Sequence, residues 1–301
     1  LVPVPMNDGL NFRMGCAVWA FRGWVGTFYP LKSQHTNFLR LYGERMLTVE
    51  GNTTFYSVPS SEMVQRWDDQ TPQSFRLWPK LPRAVTHSGP LMAHLPAALS
   101  FITLMQGLGE KLGTVMAQLP PSYSPDAFKD LENFLTAWPR DTVPISVEVR
   151  HLGWFHEKPA AELTALLSRL GVGKVLLDTR TMYDWEENSA DKDPQMMSNR
   201  RKPKVPLQPV VTADFAIVRY ISHPSLSRNE DYLSGWVRQV NDWLLQGKQV
   251  YFFVHCPNEK ESPTVAKYFQ SCLEAANIPI PSLPWTQLAQ PLEPPSQLTL
   301  F

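Results

Sequence analysis

The 301-residue chain carries 28 basic and 28 acidic side chains, so its formal net charge is zero. This balance argues against a protein that coats polyanions, although it leaves room for a local basic patch. Hydrophobic residues make up 43% of the chain and charged residues 19%, which is a globular composition with enough apolar material for a large core.

Short apolar runs rich in Val, Ile and Leu recur along the chain and predict buried strands. In chain order they are residues 15–19, 47–51, 75–80, 113–119, 145–149, 174–178, 215–220 and 249–255. Amphipathic segments between the runs predict helices over residues 37–45, 61–70, 93–111, 126–138, 160–170, 231–245 and 263–276. Gly171 and Gly247 follow two of these helices, where a left-handed cap residue is expected.

Eight strands that alternate with helices give the element count of a (β/α)8 TIM barrel. The alternative is a doubly wound open sheet, but its phosphate-binding motifs GxGxxG and GxxxxGK[ST] do not occur. We therefore predict one barrel domain over residues 14–278, with an N-terminal extension at 1–13 and a Pro-rich tail at 279–301. After the sixth strand, a long loop at 179–213 replaces the helix and is predicted to form a lid over the barrel.

The cysteines and the N-terminal sequence bear on the compartment. Cys16, Cys256 and Cys272 are odd in number and widely spaced, and they form neither a disulfide framework nor a metal knuckle. The opening stretch LVPVPMNDGL lacks the basic and apolar regions of a signal peptide. The longest apolar run, residues 91–105, is interrupted and shorter than a membrane span. These features predict a cytoplasmic protein that does not contact a membrane.

Polar residues stand at or near the carboxyl ends of most predicted strands, and in a TIM barrel these ends converge on one mouth. The strand-end candidates are Glu50, Asn52, Lys80, Gln118, Glu148, Arg150, Asp178, Arg219 and His255. Buried charges cost free energy unless they pair with one another or meet a ligand. Two interpretations are therefore open, a salt-bridge network that closes the barrel top and a ligand-binding cluster.

The ligand-binding interpretation assigns roles to these side chains. The cations Lys80, Arg150 and Arg219 would hold a phosphate or carboxylate group. The carboxylates Glu50, Glu148 and Asp178 would act as general acid or base, or hold a divalent metal ion. The remaining predicted substrate contacts are Trp19, Asn52, Tyr56, His87, Gln118 and His255.

A metal ion is neither required nor excluded by the sequence. The histidines lack HExxH spacing, but barrel metal sites draw their ligands from different strands, so spacing cannot decide. Trp19 and its neighbouring aromatic residues either line a pocket wall or pack beneath the first loop. The basic run at residues 200–204 either meets nucleic-acid phosphates or forms part of a solvated lid.

Several segments in a fixed order carry a family resemblance. They are Gly15, Trp19, Trp24, FYP at 28–30, VEGNTTFY at 49–56, KLPRAVTH at 80–87, QLPPSY at 118–123, VEVRHLGW at 147–154, Asp178 and VR at 218–219. Together they resemble the YecE-like family, a TIM-barrel family of unknown function. The resemblance runs from residue 15 to about residue 275 and implies the barrel fold, but it implies no particular reaction. The chain departs from the family pattern at Val18, Phe21, Ile221 and His255.

Two functions of different classes follow from these observations. The first, favoured because barrels of this kind are mostly enzymes, is a hydrolase, isomerase or lyase, metal-assisted in one version. Its substrate would carry a phosphate or carboxylate group, as in a nucleotide or nucleic-acid phosphoester, a sugar phosphate or a sugar acid. The second function is a non-catalytic ligand-binding or adaptor protein.

The end of the chain predicts a protein partner. Gln297, Leu298, Thr299, Leu300 and Phe301 resemble the pentapeptide by which many bacterial DNA polymerases and repair proteins dock on the sliding clamp. The prolines before them favour an extended spacer, and the apolar side chains would fill a preformed groove. The alternative is that Leu298, Leu300 and Phe301 pack back onto the barrel's own surface.

Overall fold

The structure, a computed structural model, describes residues 9–183 and 203–288. Within these residues the strands are β1 (Phe12–Cys16), β2 (Thr48–Gly51), β3 (Arg76–Pro79), β4 (Val115–Gln118), β5 (Ile145–Glu148), β6 (Gly173–Asp178), β7 (Phe215–Ile221) and β8 (Gln249–His255). The α-helices are α1 (Phe38–Gly43), α2 (Thr53–Tyr56), α3 (Ser61–Gln70), α4 (Arg83–Thr86), α5 (Leu95–Met105), α6 (Phe128–Ala137), α7 (Glu157–Leu170), α8 (Arg180–Tyr183), α9 (Glu230–Leu245), α10 (Ser262–Ala275) and α11 (Pro284–Gln287).

All strand pairs are parallel, in the order β3-β2-β1-β8-β7-β6-β5-β4. Backbone hydrogen bonds join the two ends of this order: Leu81 N donates to Met116 O at 2.9 Å, and Gly113 N donates to Leu77 O at 2.8 Å. The sheet is therefore a nearly closed ring, and the predicted single (β/α)8 barrel is confirmed.

Short 3-10 turns precede or extend several of the helices. They cover Arg22–Trp24, His35–Asn37, Leu91–His94, Gln106–Lys111, Pro125–Ala127, Leu152–Phe155, Leu226–Asn229 and Glu259–Glu261. Helix ends follow the local signals in the sequence. Ser60 caps α3, since its hydroxyl accepts a hydrogen bond from Met63 N, and Gly171 ends α7 with a φ of 64°.

Side chains alternate along each strand between the barrel interior and the surrounding helices. The interior positions form their own apolar cluster, separate from the larger cluster that the strands share with the helices. The interior cluster consists of Trp78, Met116, Val175, Ala213, Phe215, Ile217, Tyr251 and Phe253. The next inward position along a strand lies at the carboxyl end, above this layer, so the alternation decides which polar residues face the mouth.

The first strand lies earlier in the sequence than predicted. The prediction placed it at 15–19, whereas β1 is Phe12–Cys16 because pairing with β8 begins at Phe12 and Val250. Trp19 consequently lies in the following loop, where its ring packs edge-on against Trp67 at 5.6 Å. The apolar run therefore includes residues that are buried beneath a loop as well as residues of the strand.

Two regions of the prediction fall partly outside the described residues. Most of the proposed lid, at 184–202, is not described; before it, α8 follows β6 directly. At the other end, Leu283 is fully buried and Trp285 packs against Phe28 at 4.8 Å. The residues up to 288 in the predicted tail thus pack on the barrel, while 289–301, including the clamp-like pentapeptide, lie outside the described residues.

One stretch in the described part of the chain, Leu91–Lys111, is long and apolar enough to cross a membrane by length and composition. In the barrel, its central helix α5 buries Ala98, Phe101, Ile102 and Met105 in the core. A core helix of a soluble protein passes the same test, so the stretch is weak evidence for a membrane span.

Candidate functional site

Six of the predicted strand-end residues meet above the apolar interior of the barrel. They are Glu50, Lys80, Gln118, Glu148, Arg219 and His255, and each is buried. Their strands bring them together because each occupies the inward position at a carboxyl end. We call these six residues the mouth cluster.

Arg219 forms the centre of the mouth cluster. Its Nε and Nη2 donate to the two carboxylate oxygens of Glu50, both at 2.8 Å, and its Nη1 donates to Glu148 Oε2. A bidentate arginine–carboxylate pair is both strong and geometrically specific. Arg219 therefore joins two buried carboxylates, and this part of the structure has the salt-bridge network of the first interpretation.

Lys80 reaches the same carboxylate from β3. Its Nζ lies 2.6 Å from Glu50 Oε1 and donates to Gln118 Oε1 at 2.8 Å. The backbone of Lys80 is held by Thr54, whose hydroxyl accepts from Lys80 N at 2.9 Å and donates to Lys80 O at 2.7 Å. The lysine amine is thus fixed at both ends of its side chain. Thr54 is not among the predicted site residues, although its place in the segment VEGNTTFY after the second strand is a signal for it.

His255 completes the contacts of Glu50. The His255 Nε2 lies 2.8 Å from Glu50 Oε2, the oxygen that also accepts from Arg219 Nε. The Glu50 carboxylate is consequently contacted by the side chains of Arg219, Lys80 and His255.

Arg150 extends the network outward. Its Nε donates to Glu148 Oε1 at 2.6 Å, and 13% of its side chain is exposed. Within residues 9–183 and 203–288, no hydrogen bond engages the terminal nitrogens of Arg150. These two nitrogens of Arg150 can therefore bind a ligand, whereas both terminal nitrogens of Arg219 donate to carboxylates.

Burial and neighbouring charges together set the pKa values of the ionisable groups in the mouth cluster. Burial opposes ionisation of Glu50, but Arg219, Lys80 and His255 outweigh it and hold its pKa well below the usual value. The pKa of Glu148 is likewise lowered, since Arg150 and Arg219 outweigh burial. Burial, followed by the charge of Arg219, lowers the pKa of Lys80 to about 7, even though Glu50 and Glu148 act in the opposite direction. Both carboxylates are thus ionised at neutral pH, and the pKa of Lys80 lies close to neutral pH.

Asp178 does not join the mouth cluster. On β6 the inward positions are Val175 and Leu177, so the alternation directs Asp178 toward the helices. Its carboxylate accepts from Arg180 Nε at 2.9 Å and Arg180 Nη2 at 2.8 Å, and from Trp236 Nε1 at 2.8 Å. The residue ends the strand as predicted, but these contacts tie it to the packing of α8 and α9.

The other predicted contacts are spread around the mouth. The Asn52 amide donates to Ala17 O at 2.6 Å, and the Trp19 ring is buried against α3, as in the packing interpretation. Tyr56 is 80% exposed. His87 lines a cavity of about 500 Å³ whose other walls include Tyr123. These four residues are therefore separate from the buried charges, although none is far from a strand end in sequence.

The pKa of His87 is affected by the charge of Arg150. Burial lowers its pKa, and the charges of Arg83 and Arg150 add to that effect. Its Nδ1 lies 2.8 Å from the Thr86 hydroxyl, and its ring packs edge-on against Phe55. His87 is thus held close enough to Arg150 to experience its charge.

The described part of the chain contains no group of three His, Cys, Asp or Glu side chains placed to hold a metal ion together. Glu50 and Glu148, the carboxylates predicted as ligands, are instead occupied by cationic side chains. In the described residues these two carboxylates therefore have cationic side chains as partners.

Known proteins resemble this chain in sequence. A family model described as "Protein of unknown function DUF72" matches residues 13–288. The UPF0759 protein YecE of Escherichia coli K12 is 32% identical over 227 residues, which are 75% of this chain and 81% of YecE. The YecE protein of Escherichia coli O157:H7 matches with the same identity and coverage.

Solved structures give the same fold at low sequence identity. A DUF72 family protein from Thermotoga maritima superposes with a TM-score of 0.63 at 20% identity, covering 87% of this chain and 99% of that chain. A DUF72 family protein from Enterococcus faecalis superposes with a TM-score of 0.63 at 15% identity, covering 87% of this chain and 95% of that chain. With its family match over most of its length, the chain belongs to the DUF72 family of YecE-like TIM-barrel proteins.

Proposed function

We propose that the barrel mouth binds a small anionic ligand and that the protein is an enzyme acting on it. The observation that carries this proposal is a count of charges: Glu50 and Glu148 face Lys80, Arg150 and Arg219. With His255 neutral, two carboxylates and three cations leave one positive charge in excess when Lys80 is protonated. Excess charge in a poorly solvated site is unfavourable, and a bound anion relieves it.

Arg150 is the group that we expect to touch the ligand. Arg219 donates three hydrogen bonds to Glu50 and Glu148. Its role is therefore to position these two carboxylates. Arg150 donates to Glu148 through Nε, and its terminal nitrogens have no hydrogen-bond partner in the part of the chain that the structure describes. A guanidinium with two unengaged nitrogens suits a carboxylate or phosphate group, which it can bind through two hydrogen bonds.

Lys80 is the group that we expect to move protons. A general acid or base works best when its pKa lies near the working pH, and the Lys80 pKa of about 7 meets this condition. Glu50 and Glu148 remain ionised and fully engaged with cations, which supports a positioning role for them in place of the predicted acid–base role.

The substrate that fits this arrangement is small. Nucleic acid is bound through exposed basic surface along the phosphate backbone, whereas the mouth cluster is compact and buried. A compound with one carboxylate or phosphate group, such as a sugar acid or sugar phosphate, needs only one exposed cation. The reaction class that we favour is therefore isomerase or lyase chemistry on a small acid, ahead of phosphoester hydrolysis.

Substitution of Arg150 tests the anion site. We expect Arg150→Ala to weaken binding of inorganic phosphate and of short carboxylates by ~10-fold or more, because a charged hydrogen bond contributes about 1.5–3 kcal/mol. Calorimetric titration of both proteins gives the affinities. The matched control is Arg169→Ala, which removes an exposed arginine paired with Glu132 on the helical surface.

The outcomes separate the enzyme from its alternative. Equal affinities in the two variants would contradict the anion site at Arg150. Binding that depends on Arg150 but leaves each of the bound acids chemically unchanged would favour the non-catalytic ligand-binding protein. Conversion of a bound acid, followed by NMR, would support the enzyme.

We further propose that residues 297–301 dock the protein on a bacterial sliding clamp, on the strength of the Gln-Leu-Thr-Leu-Phe pattern. Since apolar anchors dominate such interfaces, Leu298→Ala combined with Phe301→Ala should abolish binding to purified clamp in a pull-down assay. Ser296→Ala, just outside the pattern, should bind as the unaltered chain does. A loss of thermal stability in the double variant, with no clamp binding by the unaltered chain, would favour packing on the barrel.

A further inference from the structure

The position of one buried amine suggests a covalent step. We propose that Lys80 forms an imine with the carbonyl carbon of a small oxo acid bound at the barrel mouth. This proposal rests on the proposed anion-binding function of the same site. It names the substrate class as an acid that carries a ketone or aldehyde group close to its carboxylate.

The surroundings of Lys80 are those of an amine held for reaction. Its Nζ is oriented by the Glu50 carboxylate at 2.6 Å and the Gln118 side-chain oxygen at 2.8 Å. Two acceptors account for two of the three hydrogens of an ammonium group, and they fix the nitrogen while leaving one of its tetrahedral directions outside these bonds. The main chain of Lys80 is anchored by Thr54, so the nitrogen is positioned by packed elements on both sides.

A neutral amine is needed for attack on a carbonyl carbon, and the site provides one. Lys80 is nearly fully buried and faces Glu50, Glu148 and Arg219, with His255 on the far oxygen of Glu50. Burial and the neighbouring guanidinium lower its pKa to about 7, so a large fraction of the amine is unprotonated at neutral pH. An ordinary exposed lysine, with a pKa of ~10.4, would be almost entirely protonated.

The positions of Lys80 and Arg150 suggest that the carbonyl compound is a short-chain carboxylic acid. Lys80 and Arg150 are attached to the linked carboxylates Glu50 and Glu148, which Arg219 bridges. The imine requires a ligand whose carboxylate binds the outer nitrogens of Arg150 and whose carbonyl carbon reaches the Lys80 amine. Short 2-oxo acids such as glyoxylate and pyruvate meet this requirement.

The proposed step balances without an oxidant or a reductant. The Lys80 nitrogen forms a bond to the carbonyl carbon, and the carbonyl π electrons move to oxygen, which takes a proton. The resulting hydroxyl group leaves as water when the carbon–nitrogen double bond forms. The amine gives up two hydrogens, and these account for the water released. Glu50, 2.6 Å from the nitrogen, is placed to stabilise the iminium form as its counter-ion.

Reductive trapping tests the imine. The full chain is incubated with pyruvate or glyoxylate and sodium borohydride, and its mass and peptide map are recorded. We expect one covalent adduct per chain, located on Lys80. Lys80→Arg keeps the positive charge but removes the nucleophilic amine, and it should lose this adduct.

A second lysine provides the matched control. Lys174 is also buried, has a lowered pKa and lies at the other end of the barrel, where its Nζ contacts Gln208 at 3.2 Å. Lys174→Arg should be trapped as fully as the unaltered chain. Adduct spread over several lysines, or no adduct on Lys80 of the unaltered chain, would overturn the proposal. The peptide map decides this even if Lys80→Arg does not fold.

The same assay separates the imine from the anion site. Arg150→Ala should reduce trapping of pyruvate but not of propionaldehyde, which has the carbonyl group without the carboxylate. Pyruvate that binds with dependence on Arg150 yet gives no adduct would overturn the imine alone. If both compounds are trapped on Lys80 equally in Arg150→Ala and in the unaltered chain, the imine is supported and the anion site is contradicted.

Discussion

Arg219→Met is expected to destabilise the protein by about 3–5 kcal/mol, because removing one partner of a buried ion pair leaves its charge uncompensated. Here the substitution removes the three hydrogen bonds that hold Glu50 and Glu148 together. Methionine fills much of the space, so the loss of charge is the main change. Urea unfolding, followed by circular dichroism, gives the free energy of unfolding for both proteins.

Substitution of a surface arginine, Arg169, is the control for Arg219→Met. Arg169 donates to Glu132 with 58% of its side chain exposed, and Arg169→Met should cost less than about 1 kcal/mol. Arg219→Lys keeps the charge but loses the two-pronged bond to Glu50, so its stability should fall between those of Arg219→Met and the unaltered chain. If Arg219→Met is no more destabilising than Arg169→Met, the buried network does not stabilise the fold.

The barrel could be predicted because its signals are local and repeated. Runs such as residues 249–255, which follow a helix that is ended by Gly247, mark strands without any knowledge of their neighbours, and β8 lies at that range. The first strand was the exception. The run at residues 15–19 is apolar for two reasons, strand pairing at its start and loop packing of Trp19 at its end. Composition alone does not separate these causes.

The mouth cluster could be predicted from position but not from pairing. Glu148 was singled out because it ends a predicted strand, and it lies in the mouth cluster. Asp178 also ends its strand, but it is one residue out of phase with the inward positions and faces the helices. Which cation meets which carboxylate depends on distances across the barrel, between residues as far apart in sequence as Glu50 and His255. The low pKa of Lys80 depends on those same distances and on burial. These features became visible only in three dimensions.

Glu50→Gln is expected to be about as destabilising as loss of the arginine, by roughly 3–5 kcal/mol, because it leaves buried cations without their shared partner. Arg219, Lys80 and His255 would then face a neutral amide. Glu162→Gln is the control, since Glu162 is half exposed and, among the described residues, pairs with Lys158 at a distance of 3.9 Å. The control should change the free energy of unfolding by less than about 1 kcal/mol.

The destabilisation by Glu50→Gln should also depend on pH, and Lys80 determines its sign. Without Glu50, the pKa of Lys80 falls below the value of about 7 that it has in the unaltered chain. Below that value, the unaltered folded protein binds the Lys80 proton more readily than the folded variant does, while the two unfolded chains bind it equally. Linkage then makes the stability difference between the two proteins shrink as the pH rises through about 7. Unfolding is measured across this range for Lys80→Met and for Lys80→Met/Glu50→Gln as well, and the difference between these two should lack the part of the pH dependence that Lys80 causes. A difference that stays constant across this range would mean that Lys80 keeps the same charge in both folded proteins, and the proton-transfer role proposed for it would be lost.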